Sequence, residues 1–380
     1  MKDTFVLISV ALGGLLLMML ALAASGEVLR SGANDFLTFY SGAHLLESGE
    51  LYDSRRLHEV AAAVAGAWSP EHGYVRPPFH AVLVWPLTRL PYPSAWRTWL
   101  ILNAAAFAGY IALWRPPRFA VTLAFSMLSL PVFTAIGNGQ DIPFVLLFVA
   151  AAVSFYRRGR LFTAGLMVSL CAVKFHLFLL APVWMVARRE WRVVQGLAAG
   201  AIVLMLVSFL AAGAAWPSRF LSSASDPAFS PRAAGMPNLH GLFAAAPQGW
   251  AAEAGIGLLV AGAVWFVARR NSITNGIAAM LTGGLLVSRH AYFADAALLL
   301  PAGLLVLHGA RGQAQRLIAF LLLTAPVAYN EATSAVVPRV IALSSLGLLG
   351  LLAVEANRGH PARPVGNDAA NGGAPKEQTW

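Results

Sequence analysis

The chain has 380 residues, of which 58% are hydrophobic and 12% are charged, and its formal net charge is +10. Soluble domains carry about 25% charged residues, so the composition excludes a single water-soluble domain and indicates that membrane lipids surround the fold. The one cysteine, Cys171, excludes a disulfide framework, a zinc cluster and an iron–sulfur site. The positive charges fall mostly in short segments between apolar runs, which indicates membrane orientation and argues against nucleic-acid binding.

The first apolar run, at residues 5–23, is long enough to cross a membrane, since a helical span needs about 20 residues. Lys2 before this run and Ala21-Leu22-Ala23 at its end also resemble a signal peptide with its cleavage site. The apolar part of a signal peptide usually has about 7–15 residues, so we favour an uncleaved first span.

Two long loops are expected on the non-cytoplasmic side. The first, residues 24–77, has apolar residues at helical spacing in 36–46 and 51–67. This pattern predicts amphipathic helices that lie in the membrane interface. The second long loop comprises residues 214–250.

Short arginine-rich segments separate the remaining apolar runs, and the positive-inside rule places these segments in the cytoplasm. Residues 161–187 are too few for two full spans, and they predict a helix pair broken near Lys174-Phe175-His176. Residues 78–90 are too short to assign to a span. The other runs pair into hairpins, at 119–136 with 141–156, 193–213 with 252–268, 273–288 with 291–308, and 317–330 with 336–354.

Together these runs predict an all-α, polytopic membrane helix bundle of about twelve spans, with both termini in the cytoplasm. They lack the strict alternation that a membrane β-barrel requires. We expect one membrane domain over residues 1–356 and a disordered cytoplasmic tail over 357–380, which is rich in Pro, Gly, Ala and Asn.

Four ionisable residues lie at the ends of spans or inside apolar runs: Asp141, Lys174, Asp295 and Glu331. Charged groups at such depth are costly, and they are usually functional or paired with one another. Each therefore has two interpretations, a functional group or an ion pair that fixes helix packing. With the predicted topology, all four lie on the non-cytoplasmic side.

Asp35 lies in the first loop, directly before an apolar helical segment. One interpretation is a helix N-cap, in which the carboxylate accepts hydrogen bonds from backbone amides. The other is a general base that deprotonates an acceptor hydroxyl as it attacks the anomeric carbon of a sugar. The sequence leaves both open.

Several cationic residues are candidates to bind a phosphate on the same side. Arg76, in Arg76-Pro77-Pro78-Phe79, could hold a phosphate or extend to the membrane interface. Lys174, in an apolar run, needs an anion, and a lipid phosphate would serve. His290, beside Arg289, could donate to a phosphate oxygen or be an ordinary interfacial histidine.

The sequence has no glycine-rich nucleotide loop, no zinc-protease motif and no nucleophile-elbow motif. We therefore expect no metal and no cofactor. A sugar-transferring enzyme whose site faces away from the cytoplasm has no nucleotide sugar to use, so it needs a donor carried by lipid.

The stretch from Asn34-Asp35-Phe36 to Tyr40, followed by Gly49-Glu50-Leu51-Tyr52-Asp53, resembles the first-loop signature of glycosyltransferase family 87. The order and spacing of four further stretches fit the same family over about residues 34–301. These are Arg76-Pro77-Pro78-Phe79, Gly139-Gln140 with Arg157-Arg158-Gly159-Arg160, Ala164-Gly165-Leu166 leading to Lys174, and His290-Ala291-Tyr292 with Asp295 and Leu298 to Pro301.

The resemblance implies a GT-C membrane fold and an inverting displacement at the anomeric carbon of a polyprenyl-phosphate-linked sugar, often mannose. Asp35 matches the family's catalytic aspartate, and Lys174 and His290 match polar positions near the donor phosphate. The chain departs from the family at Phe175, where a proline usually follows the lysine, and it has no second acidic residue beside Asp35.

The expected function is therefore transfer of a hexosyl (mannosyl) or pentosyl unit to a lipid or glycan acceptor at the cell membrane. Asp35 would act as the base, and the aromatic residues Phe36, Tyr40 and Tyr74 would flank the sugar. The alternative is a membrane transporter or lipid flippase, which the absence of matched internal halves disfavours. The candidate substrate-binding residues are Tyr40, Arg76, Gln140, Lys174, His176, Arg289, His290, Tyr292 and Asp295.

Overall fold

The computed structural model describes residues 34–66, 73–114, 119–226, 233–309, 312–324 and 336–358, together with position 12. The first apolar run at 5–23, Glu331 and all but the first two residues of the tail at 357–380 lie outside these residues.

The described residues form helices joined by short connections, and none of them lies in a strand, which confirms the all-α prediction for this part of the chain. The first helices are α1 (Asp35–His44), α2 (Ser54–Ala65), α3 (Pro78–Val84), α4 (Tyr92–Trp114), α5 (Phe119–Met127), α6 (Leu130–Gly137), α7 (Ile142–Arg157), α8 (Leu161–Leu170) and α9 (Ala181–Arg188). They are followed by α10 (Trp191–Ala212), α11 (Trp216–Ala224), α12 (Leu239–Phe243), α13 (Gly249–Arg270), α14 (Ile273–Val287), α15 (Leu299–Gly309), α16 (Gln313–Thr324) and α17 (Val336–Arg358). Short 3-10 helices occupy Trp85–Arg89, Cys171–Phe178, Ala233–Gly235 and Phe293–Leu298.

In the described part of the chain, four helical segments are long and apolar enough to cross a membrane. They are Leu161–Phe178, Trp191–Ala212, Gly249–Arg270 and Val336–Arg358. Shorter apolar helices lie at Ile142–Arg157, Ile273–Val287 and Phe293–Leu307. The protein is thus a helical membrane protein, and the number of about twelve spans stays a prediction.

The predicted run at 119–136 is divided into α5 and α6 by a break at Leu128 and Ser129. Pro131 stands in the first turn of α6. A proline has no backbone N–H to donate to the preceding turn, and its ring collides with that turn's carbonyl, so a continuous helix would be destabilised here. The sequence predicts a single run here because the hydropathy of the two helices is continuous.

The predicted break near Lys174 is confirmed. Helix α8 ends at Leu170, and the 3-10 segment Cys171–Phe178 follows it. Within this segment Lys174 leaves helical geometry, with φ −130° and ψ 51°.

The amphipathic pattern expected for the first-loop helices is wrong for α1. Its residues from Phe36 to Ala43 are all buried, because α1 packs against α2, α3 and the 3-10 helix Trp85–Arg89. Helix α2 keeps the expected one-sided pattern, since only Leu57 and Ala61 are buried. The first loop therefore forms a second hydrophobic core around α1, together with α3 and the start of α4.

Helices α8 and α10 approach each other closely through glycines. A Cβ atom on Gly165 would lie 2.1 Å from the carbonyl oxygen of Val193, and one on Gly196 would lie 1.9 Å from that of Phe162. Small residues at such positions let membrane helices pack backbone to backbone. The 3-10 segment that follows α8 packs against α7 and α14.

Polar contacts tie the helices together at the end of the bundle where α7 terminates. The Arg188 guanidinium donates to the carbonyl oxygen of Ala268 at 2.8 Å, and Tyr156 donates to Glu190. Gln315 donates to Glu355 at 2.6 Å from a neighbouring helix. Helix α7 separates these contacts from Asp141 at its opposite end, a distance of about 24 Å at 1.5 Å per residue.

Candidate active site

Asp35 is the first residue of α1, but it is not the cap of that helix. Asn34 is the N-cap, and its side-chain oxygen accepts the backbone N–H of Phe36 at 3.0 Å. The Asn34 amide also donates to the carbonyl oxygen of Gly137, and the Asp35 backbone N–H donates to that of Asn138. The capping interpretation of Asp35 is therefore wrong, because the preceding residue has taken that task.

The turn between α6 and α7 holds α1 in place and depends on Gly139. This residue has φ +68°, and a Cβ atom on it would lie 2.7 Å from Cβ of Phe36 and 2.8 Å from Oδ1 of Asn34. The indole N–H of Trp99 donates to the Gly139 carbonyl oxygen at 2.8 Å. Only glycine fits both the backbone geometry and the space.

The next residue, Gln140, joins Asp35 to Lys174. Its Nε2 donates to Oδ2 of Asp35 at 2.6 Å, and its Oε1 accepts from Nζ of Lys174 at 2.8 Å. Asp35 is half-buried, whereas Gln140 and Lys174 are buried. These three residues come from α1, from the turn before α7 and from the broken segment after α8.

Lys174 is paired with Asp295, and both are almost inaccessible, with 2% and 0% exposure. Nζ of Lys174 lies 2.7 Å from Oδ1 of Asp295, whose Oδ2 accepts the backbone N–H of Tyr292 at 2.7 Å. A buried charge is tolerated when it is paired and hydrogen-bonded. The ion-pair interpretation therefore applies to both residues.

Arg76 and Asp141 form a second buried ion pair beside the first. Arg76 donates from Nε and Nη2 to the two carboxylate oxygens of Asp141, at 3.0 and 3.3 Å. Nζ of Lys174 lies 3.8 Å from Asp141, and Nε2 of His80 lies 3.5 Å from it. Burial lowers the pKa of Arg76, but the charge of Asp141 outweighs this effect and raises it, so the guanidinium stays charged.

Three of the candidate residues are half-buried and lie beside this charged network. The rings of His176 and His290 stand edge to face with centroids 6.2 Å apart, and those of His290 and Tyr292 are 4.9 Å apart. Tyr292 follows this pair and donates its backbone N–H to Asp295. Nε2 of His176 is buried and has no hydrogen-bond partner among the described residues.

The structure does not bring every candidate to this network. Tyr40 is buried and donates its hydroxyl to the carbonyl oxygen of Leu90 at 2.8 Å, and Arg289 is exposed on the surface. Phe36 and Tyr74 are fully buried. Packing of the first loop covers the rings of Phe36, Tyr40 and Tyr74, so these rings are not exposed to a sugar in this structure.

Two residues were absent from the sequence-based set of site residues. Asp141 had been noted as a deeply placed charge but not as a member of the site, and its bidentate partner Arg76 makes it one. His80, which bridges Tyr74 at 3.0 Å and approaches Asp141, was missed. No sequence signal marks His80, since Arg76 lies before α3 and the helical i, i+4 spacing does not connect the two residues.

The network contains three carboxylates, from Asp35, Asp141 and Asp295, and two cations, from Arg76 and Lys174. The buried part of the network consists of the pairs Arg76–Asp141 and Lys174–Asp295, whose charges balance. The half-buried Asp35 carboxylate lies at the edge of this network. Across the described ranges, no group of three or more His, Cys, Asp or Glu side chains is placed to hold a metal ion.

The comparisons with known proteins identify a family. The model of glycosyltransferase family 87 matches residues 74–290, which include Arg76, Gln140, Lys174 and His290 and leave Asp35 before the match. No curated protein and no solved structure matches the chain. Since the matched segment covers more than half of the sequence, this chain belongs to glycosyltransferase family 87.

Proposed function

We propose that this membrane glycosyltransferase moves a hexosyl (mannosyl) or pentosyl unit from a polyprenyl-phosphate sugar to a lipid or glycan acceptor. Transfer takes place on the non-cytoplasmic side with inversion at the anomeric carbon, and Asp35 is the general base. The observation that carries the proposal is the half-buried Asp35 carboxylate, held through Gln140 at the edge of the buried Lys174–Asp295 pair.

The reaction is a single displacement. The acceptor hydroxyl gives its proton to Asp35 as its oxygen bonds to the anomeric carbon. The bond between that carbon and the phosphate oxygen breaks, and the polyprenyl phosphate leaves with the electron pair. Attack from the face opposite the leaving group inverts the configuration.

The donor phosphate lies, in this proposal, over the half-buried residues His176, His290 and Tyr292. Lys174 lies beneath them and contributes positive charge where negative charge develops on the leaving phosphate. Lys174 and Arg76 are already paired with aspartates, so a direct bond from either cation to phosphate requires an exchange of partner.

A lipid-linked donor is supported by the membrane helices around the site and by the absence of a nucleotide-binding motif from the sequence. A polyprenyl-phosphate sugar is a phosphodiester with a single negative charge. The cations of the network, Arg76 and Lys174, are already paired with aspartates. A donor with one negative charge therefore fits this network better than a nucleotide sugar, which brings two.

The test is transfer by the purified protein in detergent from decaprenyl-phosphate mannose or decaprenyl-phosphate arabinose, each radiolabelled in the sugar, to octyl mannoside and to extracted membrane lipids. General-base catalysis contributes about a hundred- to ten-thousandfold, so Asp35→Asn and Asp35→Ala should lose at least about a hundredfold in kcat.

The matched control is Asp53→Asn. Asp53 is exposed in the same loop and caps α2 by accepting the backbone N–H of Arg56. Asparagine caps a helix about as well as aspartate, so this variant should transfer normally. An Asp35→Ala enzyme that keeps wild-type kcat removes this carboxylate from the mechanism.

A further inference from the structure

The side-chain amide of Gln140 has one possible orientation in this network. The ammonium group of Lys174 can only donate hydrogen bonds, so the amide oxygen must face it. The amide nitrogen then faces Asp35 and donates to Oδ2 at 2.6 Å. A buried cation thus determines which end of Gln140 the carboxylate meets.

Both ends of this amide are occupied by protein groups. Gln140 is 9% exposed, and its backbone N–H is held by the carbonyl oxygen of Ala135 at 2.8 Å. Each amide atom keeps one further hydrogen-bonding site, the second N–H on Nε2 and the second lone pair on Oε1. Both bonds that the structure shows are nevertheless to protein groups, and the buried side chain offers little surface to a substrate.

We infer that Gln140 is a positioning residue, which holds the Asp35 carboxylate as a hydrogen-bond acceptor and couples it to the buried Lys174–Asp295 pair. The inference rests on the proposed role of Asp35 as the base. The sequence predicts that Gln140 touches the substrate, whereas in this role it acts on the substrate only through Asp35.

The coupling has a consequence for proton transfer. A hydrogen bond donated to a carboxylate stabilises its charged form, so losing the Gln140 N–H makes Asp35 hold its proton to higher pH. The effect acts within a charged environment that the variants leave in place, namely Arg76, Lys174, Asp141, Asp295, Tyr292, His176 and His290.

The test compares kcat, KM and the pH profile of kcat/KM for Gln140→Leu and Gln140→Glu, using the same two decaprenyl-phosphate sugars and octyl mannoside. Gln140→Leu removes both hydrogen bonds. Gln140→Glu is nearly isosteric and can still accept from Lys174, but it offers no N–H to Asp35 and adds a like charge beside it.

For Gln140→Leu the acid limb of the kcat/KM profile should move up by about one to two pH units, the usual strength of a hydrogen bond to a charged group. At pH values below the shifted limb this is a loss of about ten- to a hundredfold. For Gln140→Glu the limb should move further, because the added carboxylate also repels the charge of Asp35. KM for the donor should stay within about twofold, since only groups that touch the substrate alter ground-state binding directly.

The matched control is Gln315→Leu. Gln315 is 8% exposed and donates to the carboxylate of Glu355 at 2.6 Å, so it loses the same kind of bond at the far end of the bundle. Its pH profile should coincide with that of the wild type. A shift in the control as well would show a general response to a lost amide, and would overturn the inference.

Two other outcomes overturn it. A raised donor KM with an unmoved acid limb would show that Gln140 binds substrate, and wild-type kinetics would show that it does not act on Asp35. Should Gln140→Leu fail to elute as a folded species, Gln140→Glu decides, because it keeps the acceptor for Lys174. Failure of the proposed function looks different, since Asp35→Ala would then remain active.

Discussion

The buried ion pair between Arg76 and Asp141 offers a test of the network that does not depend on knowing the substrate. Its two hydrogen bonds, at 3.0 and 3.3 Å, connect the start of α3 to the turn before α7, across 65 residues of chain. Replacing Asp141 by Asn leaves the Arg76 guanidinium buried without its counter-ion. Replacing Arg76 by Met leaves the carboxylate with Lys174 at 3.8 Å.

The expected magnitudes follow from this geometry. Two unit charges about 4 Å apart attract by about 4 kcal/mol at an effective dielectric constant of about 20. Removing one partner of a buried pair costs about 3–5 kcal/mol. Asp141→Asn should reach the upper part of that range, whereas Arg76→Met should stay near the lower end because Lys174 partly replaces the lost cation.

The assay is the free energy of unfolding in mixed micelles titrated with SDS, measured for both single variants and for the double variant. The double variant should be more stable than the sum of the single losses predicts, by about 1–3 kcal/mol. The control pair is Arg89 with Glu47, whose side chains are 66% and 69% exposed at 3.5 Å, and its coupling should be close to zero. Additive losses at Arg76 and Asp141, within about 0.5 kcal/mol, would refute the buried pair.

Two glycine substitutions test how the site is positioned. Gly139→Ala should lower both the melting temperature and kcat, because the added Cβ collides with Phe36. The control is Gly159→Ala, since Gly159 has φ +71° but open space around it. This variant should cost only about 1–2 kcal/mol of backbone strain and leave transfer unchanged. Gly196→Ala should destabilise the protein by separating α8 from α10, while Gly255→Ala, with nothing within 4 Å, should not. Equal melting temperatures within either pair would contradict the corresponding contact.

The assignment to a family could be predicted from the sequence because its motifs are short and ordered along the chain. The break near Lys174 was predictable for a similar reason, since an ionisable residue interrupts an apolar run too short for two spans. The break within 119–136 also has a sequence signal, since Pro131 disfavours a continuous helix. The continuous hydropathy of the run predicted a single helix instead.

Exposure of the first-loop aromatic residues could not be predicted. Phe36, Tyr40 and Tyr74 lie in a segment expected at the membrane surface, where their rings would be free to meet a sugar. In the structure α1 is covered by α2 and α3, so these rings form a small core instead. Whether an apolar side chain in a loop faces substrate or neighbouring helices depends on which elements cover it, and local spacing carries no information on that.

Three properties could be predicted from the sequence: the chain folds in lipid, it folds as helices, and its chemistry-bearing residues follow the order of family 87. These properties depend on composition, hydropathy and local motifs, which act over a few turns of chain. The contacts of Asp35 with Gln140, across 105 residues, and of Lys174 with Asp295, across 121, depend instead on how the helices pack. The partner of a buried charge depends on which helices pack together, because a charge removed from water is tolerated only where folding brings an opposite charge to the same place.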